Sequence, residues 1–309
     1  MPAIPIRTSP TLDAVHARRE AIAARSEEKE SPYIRASAAH YECARALWLN
    51  FRWASGGEIL SPRVLRLFST GHREETRIVA DLRLAGIEIF DQQQQIDIAG
   101  YIRGHIDGKA SGVPEAEKTV HLLECKTANE KSFNAIKSKG VRLGKPDHWT
   151  QVQLYMHGTG LTRCLYYLIN KNTDEEYVER LYPDPDVDKV IARLVTIAEA
   201  PRPPALFRPD ALKPPCSWCR HKGLCHEGVP ARVNCRTCLH SSPRPGGTWW
   251  CEHFKVDLSP ADQAAGEQCP AHRYIPDLVD GEQTDVRGDA VVYRMRDGSE
   301  WIDGPGRAA

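Results

Sequence analysis

Three charged residues on two neighbouring apolar segments carry the first chemical signal. Residues 104–109 read GHIDGK and residues 122–127 read LLECKT. Residues two apart on a strand share a face, so Glu124 and Lys126 project together while Leu123 and Cys125 point the other way. In an antiparallel hairpin the paired residue numbers keep a constant sum. Placing Asp107 opposite Glu124 closes the hairpin on Pro114-Glu115-Ala116-Glu117, a tight loop preceded by Gly112. Asp107, Glu124 and Lys126 can therefore converge.

Two carboxylates side by side repel unless a proton or a cation lies between them. Mg²⁺ suits such a site because it prefers carboxylate oxygens and retained waters. A lysine beside the metal can orient or deprotonate a water. An isolated D…ExK pattern also recurs by chance as ordinary salt-bridged charges on a surface hairpin, so its neighbours decide.

Those neighbours are informative. Gln151 and Tyr155 stand four apart in QVQLY and share a helical face. Together with Asp107 and Glu124-Cys125-Lys126, this resembles the PD-(D/E)XK nuclease superfamily, in particular RecB-like, CRISPR-associated-type exonucleases that carry an iron–sulfur cluster. The resemblance runs over roughly residues 37–225. It implies a restriction-endonuclease-like α/β core with a mixed central sheet flanked by helices. It also implies Mg²⁺ or Mn²⁺ at Asp107 and Glu124, Lys126 acting on the water, and Gln151 with Tyr155 near the scissile phosphate. In the family a helix presents a His or Glu to the metal. Here residues 63–85 read as that helix, with Gly86 as its stop and His72 and Glu75 on one face, while Glu74 points elsewhere. A surface H-x-x-E pair is the plainer alternative, and the choice between His72 and Glu75 stays open.

The cysteines form two sets. Cys216, Cys219 and Cys225 are spaced C-x2-C-x5-C and need a fourth ligand, because thiolate metal centres take four. Spacing alone does not separate zinc from iron–sulfur. The resemblance supplies Cys43 as the distant partner and favours [4Fe-4S], although Ala44 stands where the family often has proline. Cys235, Cys238, Cys251 and Cys269 follow in a segment with a changed character, as a four-cysteine zinc-ribbon-like set in which His272 could replace Cys251. Cys125 and Cys164 are left as spare thiols.

The elements that must position these residues are legible in outline. Residues 14–30 read as a charged helix with a solvated face. Ser37 could cap a helix carrying Cys43, Leu47, Trp48 and Phe51. Residues 87–90 and 95–99 read as short strands. Between Lys131 and Lys145 the chain holds Lys131, Lys137, Lys139, Arg142 and Lys145 and no acidic residue. A solvated face is the plain reading. A run placed between the ExK strand and the Gln151 helix can also follow a phosphate backbone through Lys137, Lys139, Arg142 and Lys145. Gly140 and Gly144 would make it mobile. Gly140 to Lys145 falls one residue short of a P-loop and runs into Pro146, which excludes that nucleotide site. Pro146 opens the next helix and Gly158 with Gly160 ends it. Residues 163–171 and 176–181 form a hairpin around residues 172–174, residues 184–200 a helix, and the tail a hairpin at Asp297-Gly298.

The chain has 309 residues, ten cysteines, 41% hydrophobic and 27% charged residues, and equal numbers of acidic and basic side chains. That composition can fill a core, and it leaves nucleic-acid binding to local patches. No apolar run approaches the ~20 residues of a membrane span. The first residues lack a signal-peptide core, so a cytoplasmic protein is expected. The organisation read from the sequence is a nuclease domain at 1–229, closed by an iron–sulfur cluster, and a metal-binding appendage at 230–309. The expected activity is metal-dependent exonucleolytic hydrolysis of single-stranded DNA or duplex ends, with 5′→3′ polarity suggested by the resemblance, in recombination, repair or phage replication. No helicase motif is present, so a helicase or recombinase would be a partner. The alternative is a non-catalytic DNA-binding or assembly protein that retains the fold.

Overall fold

The computed structural model describes residues 9–23, 30–57 and 60–305. Helix α1 (Pro10–Ala23) starts four residues earlier than the charge pattern suggests, with the Ser9 hydroxyl accepting from the Leu12 amide. The rest of that expected helix lies outside the described residues. A two-residue strand β1 (Ile34–Arg35) leads into one 3₁₀ turn at Ala36–Ala38, so Ser37 caps no α-helix. Helix α2 (Ala44–Phe51) begins later because the Cys43 thiol accepts from the Ala46 amide at 3.3 Å and supplies the cap itself. Helix α3 (Pro62–Leu84) has Pro62 in its first turn, Ser61 as its cap and Gly86 at φ +84° just beyond, as its end signals require.

Strands β2 (Glu88–Phe90), β3 (Gln95–Asp97), β4 (Ile102–His105), β5 (Gly108–Ser111) and β6 (His121–Ala128) follow. Then come α4 (Glu130–Gly144), α5 (Pro146–Thr159), β7 (Cys164–Asn170), β8 (Glu176–Leu181) and α6 (Val187–Glu199). The central sheet has the order β2-β5-β6-β7-β8 and is mixed: β6 and β7 run parallel and every other neighbour antiparallel. Gly108 pairs with Leu123 and Lys109 with Leu122, the register that places Asp107 level with Glu124. The turn falls at Pro114–Ala116. The segment GHIDGK is nevertheless not one strand. Residues 104 and 105 end β4, which belongs to a separate sheet of order β1-β4-β3, and the chain leaves the ladder at Ile106 and Asp107 before β5.

Helix α3 covers one face of the central sheet, where Ile78, Val79 and Leu82 pack with Ile89, Leu123, Leu165 and Ile169. The other face is covered by α2, α4, α5 and α6, with Leu47, Phe133, Ile136, Val152, Leu154 and Leu194 packed against Leu122, Tyr166 and Leu168. Strand alternation therefore sends Leu123 and Cys125 towards α3, and Leu122, Glu124 and Lys126 towards α5.

The C-terminal segment carries α7 (Lys222–His226), β9 (Ser241–Pro243), β10 (Trp249–Cys251), β11 (Val256–Leu258), α8 (Pro260–Ala265), β12 (Gly281–Arg287), β13 (Ala290–Met295) and β14 (Glu300–Asp303). It forms two antiparallel three-stranded sheets, β11-β10-β9 and β12-β13-β14, and the tail turn at Asp297-Gly298 joins β13 to β14 as expected. Trp249, Cys251, Leu258, Tyr274 and Ile275 share the core cluster of α2 and the central sheet. Two guanidiniums lie at that junction. Arg52 is held over Trp48 and Trp249, and Arg236 over Trp53 at 3.8 Å. Arg52 donates to the carbonyls of Arg236 and Ala200, and Arg236 to that of Phe51.

Two glycines make opposite demands. Gly158, on α5, has no room for a Cβ, which would lie 2.6 Å from Ile96 Cγ2 and 3.1 Å from the Asp97 carbonyl oxygen. Gly71, inside α3, would place a Cβ in open space. Gly158→Ala is expected to cost about 1–3 kcal/mol of stability and Gly71→Ala to add about 0.5–1 kcal/mol. Urea denaturation checks both, and equal midpoints for the two variants would refute the α5–β3 packing.

Candidate active site

Asp107, Glu124 and Lys126 meet where β5 and β6 approach α5. Glu124 is 1% exposed. Lys126 Nζ lies against its Oε1 as an ion pair, and Oε2 is buried without a hydrogen-bond partner. Asp107 sits in the break between β4 and β5, where its Oδ2 accepts from the Cys125 amide at 2.8 Å. Burial first, and then the Glu124 carboxylate, push Asp107 up to about 8, against the opposing pull of Lys126 and of the Cys125 amide. Burial works to lower the Lys126 pKa, but Glu124 and Asp107 outweigh it and hold the ammonium above its ordinary value. The cluster thus holds one ammonium against a buried and a half-buried carboxylate, the latter favouring its proton.

Helix α5 brings the Q-x-x-x-Y pair to the same place. Gln151 Nε2 donates to Tyr155 Oη at 3.1 Å. Burial, then the charge of Glu124, push the Tyr155 phenol up to about 12, so it remains a donor. Tyr155 reaches this point because Gly104 on β4 has no side chain. A Cβ there would lie 2.4 Å from Tyr155 Cε1.

Of the α3 pair, Glu75 faces the cluster and adds to the forces that raise the Asp107 pKa. Its Oε1 accepts from Gln93 Nε2 at 2.6 Å. His72 is 79% exposed and lies 3.9 Å from Glu75 Oε2, turned outward. Glu74 is paired with Arg77 at 3.5 Å.

Two residues of the cluster escape a motif-based reading. His148 Nδ1 is 2.7 Å from Tyr166 Oη, and Tyr166 is the register partner of Glu124 on β7. Burial, then the Lys126 charge, bring His148 down to about 3, so its ring is neutral. His148 lies three residues before Gln151 and thus on its helical face. That spacing is the one sequence signal that pointed to it. Tyr166 carried none beyond its place in an apolar strand.

The basic run is helix α4, with Asn129 as its cap and Phe133, Ile136 and Val141 buried, and not a mobile loop. Gly140 breaks it at φ +72°, and Gly144 packs too tightly on Ile136 for a Cβ, so both glycines serve packing. Lys137 pairs with Glu175, Arg142 with Asp184 at 2.9 Å and Lys145 with Asp147 at 2.9 Å, while Lys139 is exposed.

Of the first cysteine set, Cys43 lies at the start of α2 and Cys216, Cys219 and Cys225 on the 216–225 segment. Cys43, Cys216 and Cys219 line one cavity of about 830 Å³. Burial pushes the Cys225 thiol up, against the opposing pull of Arg45, and Cys219 and Cys43 add to the rise. His221 fixes the segment to α2, with Nε2 2.9 Å from Asn50 Oδ1 and Nδ1 2.8 Å from Ser55 Oγ. Cys235, Cys238, Cys251 and Cys269 line a second cavity of about 290 Å³, together with His272. Cys164 is buried in β7, away from both cavities. Among the described residues no group of three or more His, Cys, Asp or Glu side chains is arranged to hold a metal ion as it stands. No helix among them is long and apolar enough to cross a membrane.

No protein-family model matches the chain, and no curated protein matches it. Among solved structures it is similar to an alkaline exonuclease from Laribacter hongkongensis, at 15% identity and TM-score 0.39 over 54% of this chain and 87% of that one. The same exonuclease in complex with dAMP gives 16% identity and TM-score 0.36 over 60% and 88%. The crystal structure of SSO0001 gives 14% identity and TM-score 0.40 over 72% of this chain and 98% of that one.

Proposed function

We propose that the protein is a Mg²⁺- or Mn²⁺-dependent deoxyribonuclease that hydrolyses phosphodiester bonds from DNA ends, on single strands or duplexes. The observation that carries the reading is Glu124. A carboxylate at 1% exposure, with one oxygen unpaired and a second carboxylate beside it, suits a hard cation. Asp107 and Glu124 would hold that cation, with Glu75 as the further carboxylate from α3. When bound, the cation supplies Lewis-acid polarisation of the phosphate and of a water.

The remaining chemistry belongs to the chain. Lys126 Nζ would aim the attacking water and face the charge that develops on the phosphate. Once the carboxylate charge is neutralised, Lys126 loses the attraction that holds its proton, and burial then lowers its pKa towards that of a general base. Tyr155 Oη, kept protonated, would donate to a phosphate oxygen with Gln151 orienting it. Lys139, and the ion-paired Lys137, Arg142 and Lys145 by partner exchange, would follow the backbone of the DNA. Cys43, Cys216, Cys219 and Cys225 offer a soft four-thiol set that fits an iron–sulfur cluster and would tie α2 to the end of the core. A helicase or recombinase is the proposed partner, since duplex opening is not provided by the site.

Cleavage of end-labelled single- and double-stranded DNA with Mg²⁺ or Mn²⁺ tests the reading. Lys126→Ala is expected to lower the rate about 10²–10⁴-fold while leaving metal and DNA binding intact. Asp107→Ala and Glu124→Ala should lose cleavage together with metal binding. A wild-type rate for Lys126→Ala would refute the assignment.

Asp107 also sets a pH dependence. Its folded pKa, about 8, lies above the ordinary carboxylate value, so between roughly pH 4 and 8 the folded chain binds more protons than the unfolded one. Stability of chelator-treated protein should therefore fall as pH rises through that window, and the melting temperature gained on adding Mn²⁺ should be larger at pH 8 than at pH 6. An equal gain at both values would argue against a cation at Asp107.

Anaerobically purified protein is expected to be brown with about four irons per chain. Cys43→Ala should bleach it. Iron-free, colourless protein would remove the cluster from the reading and leave the cleavage site standing.

A further inference from the structure

The 290 Å³ cavity of the C-terminal segment lies outside the cleavage site and is unexplained by it. Its four cysteines come from three separate local structures. Cys235 opens the 3₁₀ turn Cys235–Thr237, and Cys238 closes it. Cys251 ends β10, and Cys269 follows the 3₁₀ turn Gly266–Gln268. All four are free thiols lining one space. Cys235 senses the other three, and Cys238 senses Cys251 and Cys269.

His272 has its Nε2 3.4 Å from Thr237 Oγ1, and four thiols are a full ligand count for a tetrahedral ion without it.

We propose that Cys235, Cys238, Cys251 and Cys269 bind one structural Zn²⁺, and that this ion locks Arg236 into the core beneath α2. The thiols share the cavity without meeting at one point, so binding requires their side chains to turn onto the ion. Zinc is the choice because an all-thiolate, tetrahedral, closed site inside one short segment is the pattern of structural zinc.

The purpose lies in the two residues between the first pair of ligands. Arg236 is fully buried. It stacks on Trp53, donates to Gln263 Oε1 at 2.7 Å and to the carbonyls of Phe51 and Pro32, and its own carbonyl accepts from Arg52. A buried guanidinium beside a second one is unfavourable unless its donors are satisfied, and Arg236 reaches Gln263 and the Phe51 carbonyl only while the 235–238 turn keeps its shape. A zinc-bound C-x2-C turn supplies that rigidity, because metal binding and local folding are one free energy. Removing the ion therefore releases the peg under α2.

The test uses the full-length protein expressed in zinc-supplemented medium and purified anaerobically. Elemental analysis is expected to give one zinc per chain. Titration of the native thiols with a mercurial, with a chromogenic zinc chelator present, should release it. Cys238→Ser and Cys251→Ser should each lose the zinc and red-shift the tryptophan emission, since Trp53 and Trp249 flank Arg236. Cys164→Ser, outside the cavity, should keep it. Arg236→Met should retain zinc, separating the ion from the peg it holds. Should both cysteine variants fail to fold, the wild-type zinc content and its thiol-triggered release decide. Zinc-free wild-type protein, iron in place of zinc at these cysteines, or zinc retained in both variants would overturn the proposal. None of these outcomes depends on nuclease activity, so the site stands or falls apart from the cleavage reading.

Discussion

A carboxylate in the middle of a closely packed sheet must be given charge partners, and Glu124 places that constraint on everything near it. Its position on β6 is fixed by strand alternation, which also buries Leu122 on the same face and Leu123 on the other. The chain meets the demand locally with Lys126, two residues along the same strand. It then adds a second carboxylate, Asp107, which makes the electrostatics worse until a cation or proton arrives. Neutral His148 and the protonated phenols of Tyr155 and Tyr166 complete the wall. Such an arrangement is costly as a structural device, and is consistent with a site whose charge is balanced only in use.

Part of this was legible from residue types alone. The β5–β6 register followed from pairing Asp107 with Glu124 across Pro114, because side-chain alternation and turn chemistry are both local. The ends of α3 and α5 followed from Gly86 and Gly160, whose positive φ no other common residue adopts as readily. The break at Asp107 was hidden because Ile106 is fully buried and continues the apolar pattern although the backbone has left the ladder. Cys43 was placed inside a helix because a thiol is an unusual cap. Helix α4 was obscured by its lysines, which mask the helical spacing of Phe133, Ile136 and Val141. The Tyr166–His148 contact depends on the parallel β6–β7 pairing, a tertiary fact that no local pattern encodes.

The C-terminal segment teaches the same lesson through its arginines. Composition assigns arginine to surfaces. Arg236 instead lies at the bottom of a stack of tryptophans, and Trp249 and Tyr274 complete a core that α2 begins. Guanidiniums tolerate this because their flat faces pair with aromatic rings while their edges donate to carbonyls. Two like charges brought together this way make the junction selective, since few other side chains can fill both roles.

That junction also sets an order of events for a chain emerging from the ribosome. The residues from Asp107 to Tyr166 lie within one continuous stretch, closed by the crossover of α4 and α5 between β6 and β7. Helix α2 is made earlier but completed last: Trp48 waits for the Ala200 carbonyl, Asn50 for His221, and Arg52 for Arg236. Arg52 meets its Arg236 partner only 184 residues later, so part of the buried face of α2 stays uncovered until then, and it is a part of the nascent protein that a holding chaperone would find.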